Sequence, residues 1–81
     1  MEKITQPHPC CLVFAQNMRQ VRRLKEISQE ELSFRANVSK TYINAVERGS
    51  RAVSIDVMGR IADALEMPLE KLLQRDLTLM E

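Results

Sequence analysis

The sequence predicts an all-α domain of five short helices, and three observations carry that reading. Only two glycines and three prolines interrupt 81 residues. Apolar residues recur at three- and four-residue spacing rather than alternating. Ser28, Ser39 and Ser54 each stand just before such a run, where a side-chain oxygen can accept an orphan amide of a helix's first turn. The length suits one domain, and a core this small needs close helix packing or a partner subunit.

Taken in order, residues 1–11 (MEKITQPHPCC) hold two prolines and no helical period, and are expected to form a flexible tail. Residues 12–76 are expected to form the folded domain, and residues 77–81 a tail or an extension of the last helix. Helix 1 is predicted from Leu12 or Phe14 to Glu26, with Phe14, Met18, Val21 and then Ile27 as its apolar stripe. Helix 2 begins after Ser28, with Glu31 three residues on as the second half of a capping box. It turns Leu32 and Ala36 inward and stops at Asn37, a residue type that tolerates the left-handed conformation. Val38 fills the turn, Ser39 caps helix 3, and Gly49 ends it. Helix 4 follows Ser54, with Ile55, Met58, Ile61, Ala62 and Leu65 on one stripe. Gly59 within it is less favourable than Ala by about 1 kcal/mol and is expected to mark a close helix contact. Pro68 sets the next boundary, before a short helix carrying Leu69, Leu72 and Leu73.

Charge is segregated along the chain. Residues 19–51 carry eight basic and four acidic side chains, a balance of +4, whereas residues 52–81 carry three basic and six acidic, a balance of −3. A basic half beside an acidic half suits a protein that turns one face to a polyanion. Two ionic residues fall on core stripes: Arg22 lies four residues after Met18, and Glu47 four after Ile43. An unpaired buried charge is very costly, so the two are expected to pair where helices 1 and 3 meet.

Other chemistries find little support. His8, Cys10 and Cys11 offer three potential metal ligands, and a closed zinc site needs four, so no metal is expected. A disulfide between adjacent cysteines is strained. The single His stands in the predicted tail, no nucleophile–base arrangement or nucleotide loop appears, and an enzyme is not expected. No apolar run approaches the ~18 residues of a membrane span, and no signal-peptide pattern is present. Cytoplasm is the default, with no membrane, cofactor or small-molecule ligand expected.

Helix 2, a three-residue turn and helix 3 make a helix-turn-helix. In that motif the second helix enters the major groove and its N-terminal residues meet base edges. That requires exposed donors and acceptors in its first turns, backed by aliphatic anchors. The stretch SKTYINAVERG meets both needs: Lys40, Thr41 and Asn44 point outward while Ile43 and Val46 anchor. Lys can donate to guanine, Asn can bind adenine, and Thr can offer its methyl to thymine.

The stretches MRQVRRLKEISQEEL, NVSKTYINAVERGSR and SIDVMGRIADALEMPLEKLL together resemble the Cro/C1-type (XRE) helix-turn-helix family over residues 14–73. Within it, KTYI followed by ERGSR is similar to the small controller proteins of restriction–modification systems. The resemblance implies a compact five-helix, lambda-repressor-like domain. It implies a DNA-binding set of Gln29, Ser39, Lys40, Thr41, Tyr42, Asn44, Arg48, Ser50 and Arg51. In it, Gln29 meets a phosphate, Lys40, Thr41 and Asn44 read bases, Tyr42 touches the backbone or groove wall, and Arg48, Ser50 and Arg51 flank phosphates. Arg22 and Glu47 match the family's buried ion pair. The chain departs from the pattern at Asn37 and Glu66, where Gly is common, at Val53, where Pro is common, and at Leu24 and Phe34, which are usually polar.

The expected function is sequence-specific binding of double-stranded DNA by a homodimer on a pseudo-palindromic operator, regulating transcription. One unit reaches a single major-groove segment, and two related by a two-fold axis reach successive grooves. The acidic half offers Met67, Leu69, Leu73 and Leu77 as the dimer interface, more apolar side chains than the domain's own core should need. The rival expectation is a protein-interaction module or antitoxin using the same fold.

Overall fold

The computed structural model describes residues 7–75 and 77. Among these described residues five helices follow one another: α1 (Pro9–Leu24), α2 (Gln29–Ala36), α3 (Lys40–Glu47), α4 (Ile55–Ala64) and α5 (Leu69–Leu72). There is no strand among the described residues. α2 packs on both α3 and α4, α1 on α3 and α5, and α4 on α5. Phe14 and Met18 of α1, Leu32 of α2, Ile43 of α3, Ile61 of α4 and Leu72 of α5 are all fully buried in one cluster. Each amphipathic helix thus stabilises the others by removing its apolar stripe from water.

The helix ends are set by local chemistry. Ser28, Ser39 and Ser54 accept the amides of Glu31, Tyr42 and Val57 at 2.9, 3.0 and 3.1 Å. The Glu31 carboxylate bonds Arg35, and the capping hydrogen bond at Ser28 runs from the Glu31 backbone alone. At the other ends Glu26, Asn37, Gly49 and Glu66 take positive φ. The next amide then reaches back over the helix end: Ile27 to Arg22, Val38 to Ser33, Ser50 to Ala45 and Met67 to Ala62, at 3.0–3.2 Å. Four helices close with the same reversal, which satisfies otherwise orphaned carbonyls.

Several expectations need correction. α1 starts at Pro9, not at Leu12 or Phe14, so residues 9–11 are helix rather than tail. His8 is the cap, its Nδ1 accepting the Cys10 amide at 3.1 Å. Pro9 takes the first helical position, where its missing N–H is no loss, and Cys11 is buried in the core. α1 also stops at Leu24, because the left-handed Glu26 cannot continue it. Ile55, expected on the core stripe of helix 4, is 74% exposed. Gly59 marks no close contact: a Cβ there would meet nothing within 4 Å.

Met67, Leu69 and Leu77, expected to be surplus to the core, pack partly against it, and only Leu73 of that group stands exposed. The expected boundary at residue 76 and, of the tail or helix extension expected over residues 77–81, all but residue 77 lie outside the described residues.

Candidate nucleic-acid interface

α3 is held by its apolar side and presents the other. Ile43 and Val46 are buried, Lys40 and Thr41 are exposed, and Tyr42 and Asn44 are half-buried. The cap at Ser39 orders the first turn from which Lys40 and Thr41 project. α2 packs on this helix.

A polar network fixes α3 to α1 and α2. Arg22 Nε donates to Glu47 Oε2 at 2.6 Å and Nη2 to Oε1 at 3.1 Å, a two-pronged ion pair between buried side chains. The third guanidinium nitrogen, Nη1, donates to the Ile27 carbonyl at 2.8 Å. Gln29 Nε2 donates to Glu47 Oε1 at 3.0 Å, and Asn44 Nδ2 donates to Gln29 Oε1 at 3.4 Å. The network therefore runs from the core pair to a half-buried side chain on α3. Among the described residues, no buried side-chain polar atom lacks a hydrogen-bond partner, the condition under which a buried polar cluster fixes geometry instead of loosening it.

The loop after α3 is organised as well. Gly49 turns the chain at φ +70°, with the Leu12 side chain against it. The Ser50 hydroxyl donates to the Ala45 carbonyl at 3.1 Å, which commits it to closing the helix. The Arg51 guanidinium lies over the Tyr42 ring, 4.6 Å from its centroid, an attraction to the ring's negative face. Arg48 is exposed at the helix end.

The structure thus separates the sequence-derived residues into four groups. Lys40, Thr41 and Arg48 are outward and accessible; Tyr42 and Arg51 stack. Gln29, Asn44, Arg22 and Glu47 share one network, and Ser39 and Ser50 close helix ends. Met67, Leu69, Leu73 and Leu77 lie in the C-terminal segment, outside these groups.

Sequence reasoning passes over Asn17. It is buried, and its Nδ2 donates to the carbonyls of Leu72 at 2.9 Å and Gln74 at 2.7 Å, closing the end of α5. Its signal is a polar residue three after Phe14 on the core stripe. Lys25 enters the sequence reading only as charge. Its Nζ donates to the Leu65 carbonyl at 2.7 Å, at the end of α4, where a cation is favoured.

A second short helix anchored by its apolar side, with polar side chains at its exposed N-terminal turn, defines a helix-turn-helix DNA-binding regulator. The family profile described as helix-turn-helix matches residues 18–72, and the chain belongs to the XRE-type helix-turn-helix family. It is 43% identical over 63 residues to control protein C.BamHI of Bacillus amyloliquefaciens, covering 76% of this chain and 78% of that one. It is 36% identical over 63 residues to control protein C.SmaI of Serratia marcescens, covering 78% and 75%. The crystal structure of the restriction-modification controller protein C.AhdI from Aeromonas hydrophila superposes with a TM-score of 0.75 at 34% identity, over 80% of this chain and 98% of that one. Regulators of this family bind double-stranded DNA. Among the described residues no helix is long and apolar enough to cross a membrane.

Proposed function

We propose that the chain is a cytoplasmic, non-enzymatic regulator of the restriction–modification controller type. It binds a two-half-site operator as a homodimer. The observation that carries the reading is the first turn of α3: Lys40 and Thr41 project from a helix whose other side is locked by Ile43, Val46 and the Arg22–Glu47 pair. A rigid base-reading surface of this kind is what major-groove recognition requires. The likeness to controller proteins supports the regulatory role. Asn44 reads bases alongside Lys40 and Thr41, in a position set by Gln29. Tyr42, Arg48 and Arg51 meet the backbone.

Two copies join through the acidic half, with exposed Leu73 and Ile55 and the outer parts of Met67, Leu69 and Leu77 as the apolar surface. The test is binding to a degenerate duplex library. Lys40→Ala should cost about 1–3 kcal/mol on the preferred site and relax preference at one or two base pairs. Arg51→Ala should weaken all sequences alike. An unchanged base preference in a Lys40→Ala, Asn44→Ala double variant rules out α3 as the reader.

The rival reading, a protein-interaction module, rests on Phe34, which is 83% exposed on α2. It predicts affinity for mixed duplex that is weak at any salt concentration. A DNA reader instead loses affinity steeply as salt rises.

A further inference from the structure

The cations of the basic half divide into two sets. Arg22, Lys25 and Arg35 are engaged within the fold, bonded to Glu47, the Leu65 carbonyl and Glu31. Among the described residues, Arg19, Arg23, Lys40, Arg48 and Arg51 have no acidic partner within ion-pair distance. The last three belong to the proposed interface. Arg19 and Arg23 do not, yet they are continuous with it. Gln16, Arg19, Gln20 and Arg23 line a shallow groove along α1. A second groove begins on the same Gln16 and Arg19 and ends on Arg48 and Gly49 at the close of α3. Glu47 also borders this second groove, but its carboxylate is held by Arg22 and Gln29.

The spacing is that of one helix face: residues 16, 19, 20 and 23 sit three and four apart on a single side of α1. The strip holds two cations and two neutral amides and no carboxylate. Amides and guanidinium groups are both suited to phosphate oxygens. We propose that the Arg19–Arg23 face of α1 is a second backbone-binding strip. It takes the DNA phosphates that run on from those met by Arg48, and lengthens the footprint beyond the helix-turn-helix itself. This rests on the DNA-reading proposal above. Phosphate contacts position a protein without reading sequence, so the strip adds affinity and leaves base preference alone.

The test is the salt dependence of binding to operator duplex and to mixed-sequence duplex. Every phosphate that the protein no longer neutralises makes the slope of log K against log salt shallower by about 0.9. An Arg19→Gln, Arg23→Gln variant loses two phosphate contacts in each protomer, so the bound homodimer should show a slope shallower by about 3.6 on both duplexes, with the same ranking of bases in a degenerate library. An Arg19→Lys, Arg23→Lys variant should keep the wild-type slope, and Arg60→Gln, removing a cation paired with Asp56, should keep it too. A wild-type slope in the Gln variant overturns the proposal and leaves the strip to an acidic protein surface. An equal effect with Arg60→Gln also overturns it, because the cause is then net charge. A wild-type protein whose binding is indifferent to salt sinks the DNA-reading proposal itself, an outcome distinct from a steep wild-type slope that the Gln variant fails to change.

Discussion

Glu47 accepts three hydrogen bonds, two from Arg22 and one from Gln29, and removing it would leave the guanidinium buried without its counter-charge. Loss of one partner of a buried pair typically costs about 3–5 kcal/mol. Glu47→Ala should show a loss of that size in a denaturant melt, and a change within error would mean that the freed guanidinium regains water and is not left buried without a counter-charge. Gly59 is the opposite case. It sits inside α4 with open space where a Cβ would go, so its lower helix propensity is uncompensated. Gly59→Ala should stabilise by about 1 kcal/mol, read as a shift in midpoint at unchanged denaturant slope. Sequence suggests a pairing for Arg22 and Glu47 because both charges fall on apolar stripes. It holds no sign of the Gln29–Asn44 link, which depends on how far α2 sits from α3, a distance no periodicity encodes.

At the scale of elements, the chain ends four helices with a left-handed residue, and only one of the four is glycine. A non-glycine residue in that conformation costs about 1–2 kcal/mol, offset in part by the greater freedom glycine has when unfolded. Glu66→Gly should therefore raise stability by about 0.5–1 kcal/mol, while Gly49→Ala should lower it, both measurable by thermal melts. The serine starts and the stops at Asn37 and Gly49 are legible in the sequence because capping is local chemistry. The start of α1 is not: Pro-His-Pro looks like a turn, and Pro9 reads as a breaker although the first helical position suits it. Ile55 misleads for a geometric reason. At about 100° per residue it lies at the margin of the stripe through Met58, Ile61 and Leu65, at the helix's first position, and the core does not cover it.

The whole molecule joins a basic half to an acidic half through cations that serve helix ends. Lys25 reaches the Leu65 carbonyl, and Arg35 reaches toward Ala64 at 3.5 Å, so part of the positive charge visible in the sequence is directed inward. The acidic half carries the proposed dimer surface, and the packing of Leu69 decides which variants can test it. Leu69→Asp would damage the core, whereas Leu73 and Ile55 are exposed in the single chain. An Ile55→Asp, Leu73→Asp variant should sediment at one chain mass with its helical signal intact and bind a two-half-site duplex weakly. Wild type at micromolar concentration should sediment at about twice the chain mass. A wild type that stays at one chain mass removes the dimer from the reading. Asn17 then takes on a role beyond packing. Its amide holds the Leu72 and Gln74 carbonyls and so fixes where the segment of the proposed dimer surface lies. Where two copies must meet before an operator is covered, occupancy at low abundance grows with the square of the amount of protein in the cell. A buried amide on the first helix would thereby set the dose at which a gene begins to respond, without altering which gene it is.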